Sequence, residues 1–123
     1  LSDTSFSFVA EPSKEKEISY HGLIREDAKP GDVVELDKTL FVRQREKNMG
    51  QEICGYTLYK SYSELPFKVV LTDRKDGTAH IELAPGYTLN YERRHKYSFD
   101  IAAHDCTTGQ HTQRLVFLIL IIL

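Results

Sequence analysis

The chain has 123 residues, one domain's worth and enough for a single two-layer core. A hydrophobic content of 41% beside 28% charged residues excludes a disordered chain. A net charge of −2 gives no electrostatic reason to bind nucleic acid or an anionic membrane, and the absence of Trp removes the buried Trp of antibody-type sandwiches.

Residues 1–16 are polar, with Phe6, Phe8 and Val9 at uneven spacing. With Pro12 and the charge cluster Lys14–Glu17 they read as an N-terminal tail or linker, leaving 17–123 for the folded domain. No basic-then-apolar leader precedes this stretch, so the chain reads as an excised piece. Ile18–Glu26 predicts a first strand, with Tyr20 and Gly22 facing opposite to His21 and Leu23. Lys29-Pro30-Gly31-Asp32 is a turn, in which Pro presets the backbone and Gly supplies the reversed conformation. Val33–Val42 predicts a second strand, interrupted by the polar Asp37–Lys38 pair.

Arg43–Gly50 is a charged loop, and Ile53–Tyr59, rich in aromatic and β-favouring residues, predicts a third strand. Ser61–Glu64 matches a helix capping box, yet Pro66 stops any helix almost at once. Phe67–Leu71 predicts a fourth strand. Asp76-Gly77 is a hairpin signal leading into a fifth, Thr78–Leu83, and Ala84-Pro85-Gly86 turns the chain again.

The clearest pattern lies in Leu89–Cys106. Tyr97, Phe99, Ile101 and Ala103 alternate with Lys96, Ser98, Asp100 and Ala102, the period of a strand with one buried face. Glu92 precedes this sixth strand and Asp105 follows it. A seventh strand lies in Thr112–Leu123, where nine apolar residues run unbroken from Leu115 to Leu123, far short of the ~20 that span a bilayer as a helix. An uncapped apolar end on a sheet edge would be an aggregation hazard, and the pattern offers no reason for its apolarity. Seven short strands separated by turn signals, with no stretch able to sustain a helix, predict an all-β fold: a seven-stranded antiparallel Greek-key β-sandwich.

Residue chemistry points away from catalysis, since no G-x-S-x-G, H-E-x-x-H or Gly-rich phosphate loop occurs, and an enzyme using Cys106 with a histidine is the rival that residue types leave open. Cys54 and Cys106 form no C-x-x-C and read either as small buried hydrophobes in a reducing compartment or as a disulfide in an oxidising one. Of the histidines His21, His80, His95, His104 and His111, the set His104, Cys106 and His111 offers three zinc ligands, but in no recognised zinc spacing. The basic runs Arg43–Lys47 and Arg93–Lys96 read as solvated loop charge or, together, as a patch for carbohydrate or glycosaminoglycan. Tyr59, Tyr62 and Tyr87 are expected to be exposed near loop ends, where Tyr serves either protein contact or the core margin.

LNYE at Leu89–Glu92, YSFDIAAHD at Tyr97–Asp105 and the later Gly109 resemble a cadherin repeat. SYHGLIRED (Ser19–Asp27), EICGY (Glu52–Tyr56) and AAHDC (Ala102–Cys106), in that order, resemble more narrowly the first cadherin repeat of the calsyntenins. The similarity covers roughly residues 17–114. It implies a cadherin-like, extracellular, non-catalytic module of a type I membrane protein, anchored by segments outside this piece. It places that protein at the plasma membrane, at postsynaptic and endomembrane sites, with neurexin-like receptors or homophilic contacts as partners.

In that setting a Cys54–Cys106 disulfide is expected, the third and sixth strands being sheet neighbours in such a sandwich. Closing so long a loop is worth about 4 kcal/mol in the chain-entropy model. The resemblance also implies calcium ligands at Glu26, Glu92 and Asp105. Departures weaken that expectation: Asn90 stands where the family has aspartate, the basic run Arg43–Lys47 replaces an Asp-x-Asp, and no Asp-rich linker follows. A weakened calcium site at most is expected, and without calcium Glu26 and Asp105 are ordinary exposed carboxylates.

Overall fold

The alternation of the sixth strand appears in the computed structural model, which describes residues 20–42, 52–60 and 64–123. In β6 (Lys96–Asp105), Tyr97, Phe99, Ile101 and Ala103 are all buried. The other elements are β1 (Tyr20–Arg25), β2 (Glu35–Leu36), β3 (Ile53–Lys60), β4 (Phe67–Asp73), β5 (Thr78–Leu83) and β7 (Leu115–Ile122), with no helix among the described residues. The expected tail 1–16, the basic run Arg43–Lys47 and Tyr62 lie outside them.

Five strands form one sheet in the order β2-β1-β7-β6-β3, and β4 pairs with β5 in a second. Side chains from the two sheets meet in one core. Phe67 of β4 sets its ring edge against Tyr97 of β6, centroids 5.3 Å apart, while Phe99 stacks on Phe117 and Phe117 on Tyr20. Burying side chains such as Phe117, Ile119 and Ile101 stabilises the fold by roughly 1.5–3 kcal/mol each. The expected β-sandwich is thus present, with one pairing of different sense. β1 runs parallel to β7, Tyr20 beside Phe117 through Arg25 beside Ile122, whereas β6 runs antiparallel to β7.

That arrangement explains the apolar run near the end of the sequence. β7 is an interior strand, flanked on both sides, with Phe117, Ile119 and Ile121 in the core and its outward residues Leu118 and Leu120 half-buried. A strand covered on both faces reads as continuous apolar sequence rather than as an alternation. Only Ile122 and Leu123 emerge, Leu123 to 73%.

The expected ten-residue second strand, Val33–Val42, is reduced to Glu35–Leu36. The reason is that this segment divides its backbone bonds between the sheets. Val34 N–H donates to Ile81 O of β5, Glu35–Leu36 pair with β1, and Leu40 O accepts from Ala79 N–H of β5. Asp37 turns the chain at the changeover, its Oδ1 accepting from His21 N–H at 3.1 Å. Strands that switch sheets in this way make the corners of a sandwich. Gly22 permits the crossing, because a Cβ there would lie 2.8 Å from Val34 Cγ1. The Pro30-Gly31 turn also forms, with Gly31 at φ +94° and Asp32 N–H donating to Lys29 O.

Candidate functional site

β6 separates the chemistry of the molecule into two ends. Ten residues of strand span about 30 Å, so Glu92, before its start, and Asp105, at its finish, lie far apart.

At the Asp105 end, β3 pairs with β6 and carries a bulge between Ile53 and Gly55. The irregularity sets Cys54 against Cys106, and the two are joined by a disulfide with Cα atoms 4.8 Å apart. The guanidinium of Arg74 lies over the bond, with its Nη2 3.3 Å from Cys106 Sγ and 3.5 Å from Cys54 Sγ. The same nitrogen is 3.3 Å from Glu52 Oε1. Both cysteines of the chain are consumed, so the thiol required for Cys–His nucleophilic chemistry or for a Cys106 zinc ligand is not there.

Asp105 is 1% exposed, which corrects the expectation of an ordinary exposed carboxylate. Its Oδ2 accepts from Thr107 N–H, Thr108 N–H and the Thr108 hydroxyl at 3.1, 2.7 and 2.9 Å. Its own N–H donates to Gln110 O, and its carbonyl accepts from Gly109 N–H. The side chain thus organises a tight return after β6, a use of Asp that its short acceptor geometry favours. That return brings His111 back beside His104 in an antiparallel bridge, ring centroids 5.6 Å apart.

At the opposite end, β1, β7 and the approach to β6 converge. Glu26 N–H donates to Ile122 O, Ile121 N–H to His95 O, and the Glu26 carboxylate, half-buried rather than exposed as expected, accepts from Tyr91 N–H at 2.9 Å. Asn90, the residue that departs from the family's aspartate, accepts at its Oδ1 from Glu92 N–H and Arg93 N–H. It therefore caps a small turn by itself. Glu92 is exposed.

The three carboxylates of the implied calcium set are therefore divided: Glu26 and Glu92 lie at one end and Asp105 at the other. Calcium asks for six to eight oxygens gathered in one cage. Among the described residues no three of His, Cys, Asp and Glu gather where a metal could be held, and Asp105 Oδ2 already serves the turn. Within this one module the described donors do not by themselves gather a full calcium cage.

The second basic run lines a groove of about 420 Å³ with Arg93, Arg94, Tyr87, Tyr97, Asn90 and Glu64. Arg94 lies 4.8 Å over the Tyr97 ring and donates to Lys96 O, while Arg93 is exposed. Of the tyrosines expected to be exposed, the two described are not fully so: Tyr87 is half-buried in this groove, and Tyr59 is half-buried beneath the guanidinium of Arg114 at 3.6 Å. The remaining histidines are dispersed: His21 faces Asp37 at 3.5 Å, His80 contacts Glu82 at 2.6 Å, and His95 stacks on Tyr91. Sequence reading missed Arg74, and it grouped His104 with His111 only as zinc candidates beside Cys106, not as a bridged pair. Arg74 lies in a turn whose landing place no local pattern reveals. The bridge was signalled only by the turn-forming residues Asp105, Thr108 and Gly109.

Comparison with known proteins agrees with this architecture. The chain resembles the third cadherin domain of human protocadherin 7, with TM-score 0.52 and 17% identity over 84% of this chain and 79% of that one. It also resembles a chain of the protocadherin gammaB7 EC3-6 cis-dimer, with TM-score 0.55 and 18% identity over 84% of this chain and 21% of that one. At such identities the likeness concerns the fold alone. In sequence it is 36% identical over 91 residues to Calsyntenin-1 of Drosophila melanogaster, which is 73% of this chain and 8% of that protein, so the chain spans less than a tenth of that relative. A family model described as the calsyntenin immunoglobulin-like domain matches residues 4–121, and the chain therefore belongs to the calsyntenin family.

Proposed function

We propose that the chain is an extracellular recognition module of a calsyntenin-type transmembrane protein, serving cell adhesion or synaptic receptor recognition and not catalysis. The observation that carries this reading is calsyntenin kinship in a cadherin-like sandwich whose polar side chains stand at strand ends and in shallow grooves. The disulfide supports an oxidising compartment. Recognition by such a module rests on sheet faces and loops, with neurexin-like receptors or a second copy as partner. It does not depend on calcium, of which this module holds a weakened site at most.

The test applies tetramerised chain to cells displaying neurexin-type ectodomains, and chain-coated beads to one another, in calcium and in chelator. Saturable binding or bead aggregation supports the reading; failure of both, with circular dichroism reporting an intact sheet, overturns it. Calorimetry with sub-millimolar calcium is expected to give no heat and unchanged thermal melts.

A second reading, carbohydrate or glycosaminoglycan binding by a secreted sandwich, is favoured by one observation: Arg93 and Arg94 flank a groove that also holds two tyrosines. Salt-dependent retention on heparin that disappears in Arg93→Ala and Arg94→Ala would support it.

A further inference from the structure

We propose that His104 and His111 form a two-nitrogen binding site for a zinc-type divalent transition-metal ion, on the face beside the disulfide. The two residues come from different segments and meet at an isolated antiparallel bridge, so the backbone fixes their approach. Zinc–nitrogen bonds of about 2.0–2.1 Å at tetrahedral angles hold two imidazole rings with centroids roughly 5 Å apart. The observed separation is 5.6 Å with the rings tilted by 46°, close to that spacing.

A second observation points to the same ligand. Nδ1 of His104 is buried and makes no hydrogen bond, an unusual state for a polar atom in a well-packed structure. A metal ion is one partner that would satisfy it. His111 is exposed and gives the ion a path from solvent, and Thr57 Oγ1 lies 3.4 Å from His111 Nε2, an oxygen neighbour at the rim.

The site is framed by rigid parts. β3 packs Gly55 directly against the His104 ring, where an added Cβ would lie 3.1 Å from Cε1. The return that carries His111 is held by the Asp105 carboxylate and by two bonds at Thr112: its N–H donates to Ala103 O, and its hydroxyl accepts from Ala103 N–H. Cys106 takes no part, because its sulfur is in the disulfide. Water completes the coordination.

The experiment is zinc titration of the 123-residue chain by calorimetry in a non-chelating buffer, with thermal melts in zinc and in chelator. One saturable zinc per chain is expected, together with a raised melting temperature, since an ion that binds only the folded state stabilises it. His111→Gln, at an exposed position, is expected to weaken binding at least about tenfold while leaving the metal-free melt unchanged. His104→Gln is expected to do the same, and His80→Gln to bind as the parent does. The proposal is overturned if the parent chain shows no saturable zinc, or if His111→Gln binds as tightly as the parent, which would assign the metal to other histidines. His111→Gln carries the test should His104→Gln fail to fold.

Discussion

The two ends of β6 hold similar residues, carboxylates and arginines beside aromatic or imidazole rings, and use them in different ways. At the Asp105 end the carboxylate is buried and bonded to successive donors of one turn, and a disulfide with an overlying arginine ties the edge strand β3 to the sheet. At the Glu26 end the carboxylate accepts from the Tyr91 N–H, while Glu92 and Arg93 stand in water. The contrast teaches that residue type does not set role. Where backbone donors converge on a carboxylate it becomes part of the frame, and where they do not it is left for partners.

The largest expected effect lies at the framed end. Replacing Cys54 and Cys106 together by Ser is expected to lower stability by about 4 kcal/mol, measured by urea unfolding; a loss below ~1 kcal/mol would show that this end does not depend on the bond. Asp105→Ala is expected to lose roughly 2–4 kcal/mol, because several donors of one turn lose a buried charged acceptor. Glu26→Ala at the other end removes one acceptor and is expected to lose about 1 kcal/mol. Equal losses from the two substitutions would erase the distinction between the ends.

Gly22→Ala tests the corner between them. The new methyl meets Val34 at 2.8 Å and Leu36 at 3.1 Å, and a loss of roughly 1–3 kcal/mol is expected in the same unfolding assay. The smallest effect concerns a contact belonging to neither end. The Asp37 carboxyl is held below its ordinary range, chiefly by the His21 N–H and then by the His21 side chain. Its contribution is present above the ordinary Asp value of about 4 and is lost as pH falls below it. Because the pair is exposed, the acid-side slope is expected to be slight, and Asp37→Asn is expected to remove it from a series of melts between neutral and acid pH.

Much of this frame was legible in the sequence where one residue pattern meets one physical cause. The alternation of Tyr97, Phe99 and Ile101 declared β6, and Pro30-Gly31 declared its turn. The neighbouring third and sixth strands made the pairing of Cys54 with Cys106 reasonable. Three things were hidden for a common reason, that they depend on which segments meet. The alternation of Tyr20, Gly22 and Ile24 is the same whether a partner runs parallel or antiparallel, so the sense of β1 against β7 left no trace. Val33–Val42 has the composition of one strand although its backbone bonds are split between two sheets. The reach of Asp105 into its own turn, which joins His104 to His111, follows from burial that no local window contains.

The interior position of β7 bears on how this chain comes to be folded at all. Its partners are β6, just upstream, and β1, nearly the whole described chain away, so the larger sheet cannot close until Leu115–Ile122 has left the ribosome. Until then β1 and β6 each expose an unpaired edge, and Phe99 and Tyr20 lack the ring of Phe117 that joins them. Long-range pairing of this kind makes for slow folding, on the order of milliseconds to seconds. On a stalled ribosome the sensitivity of the nascent chain to protease is therefore expected to fall abruptly when Leu115–Ile122 emerges.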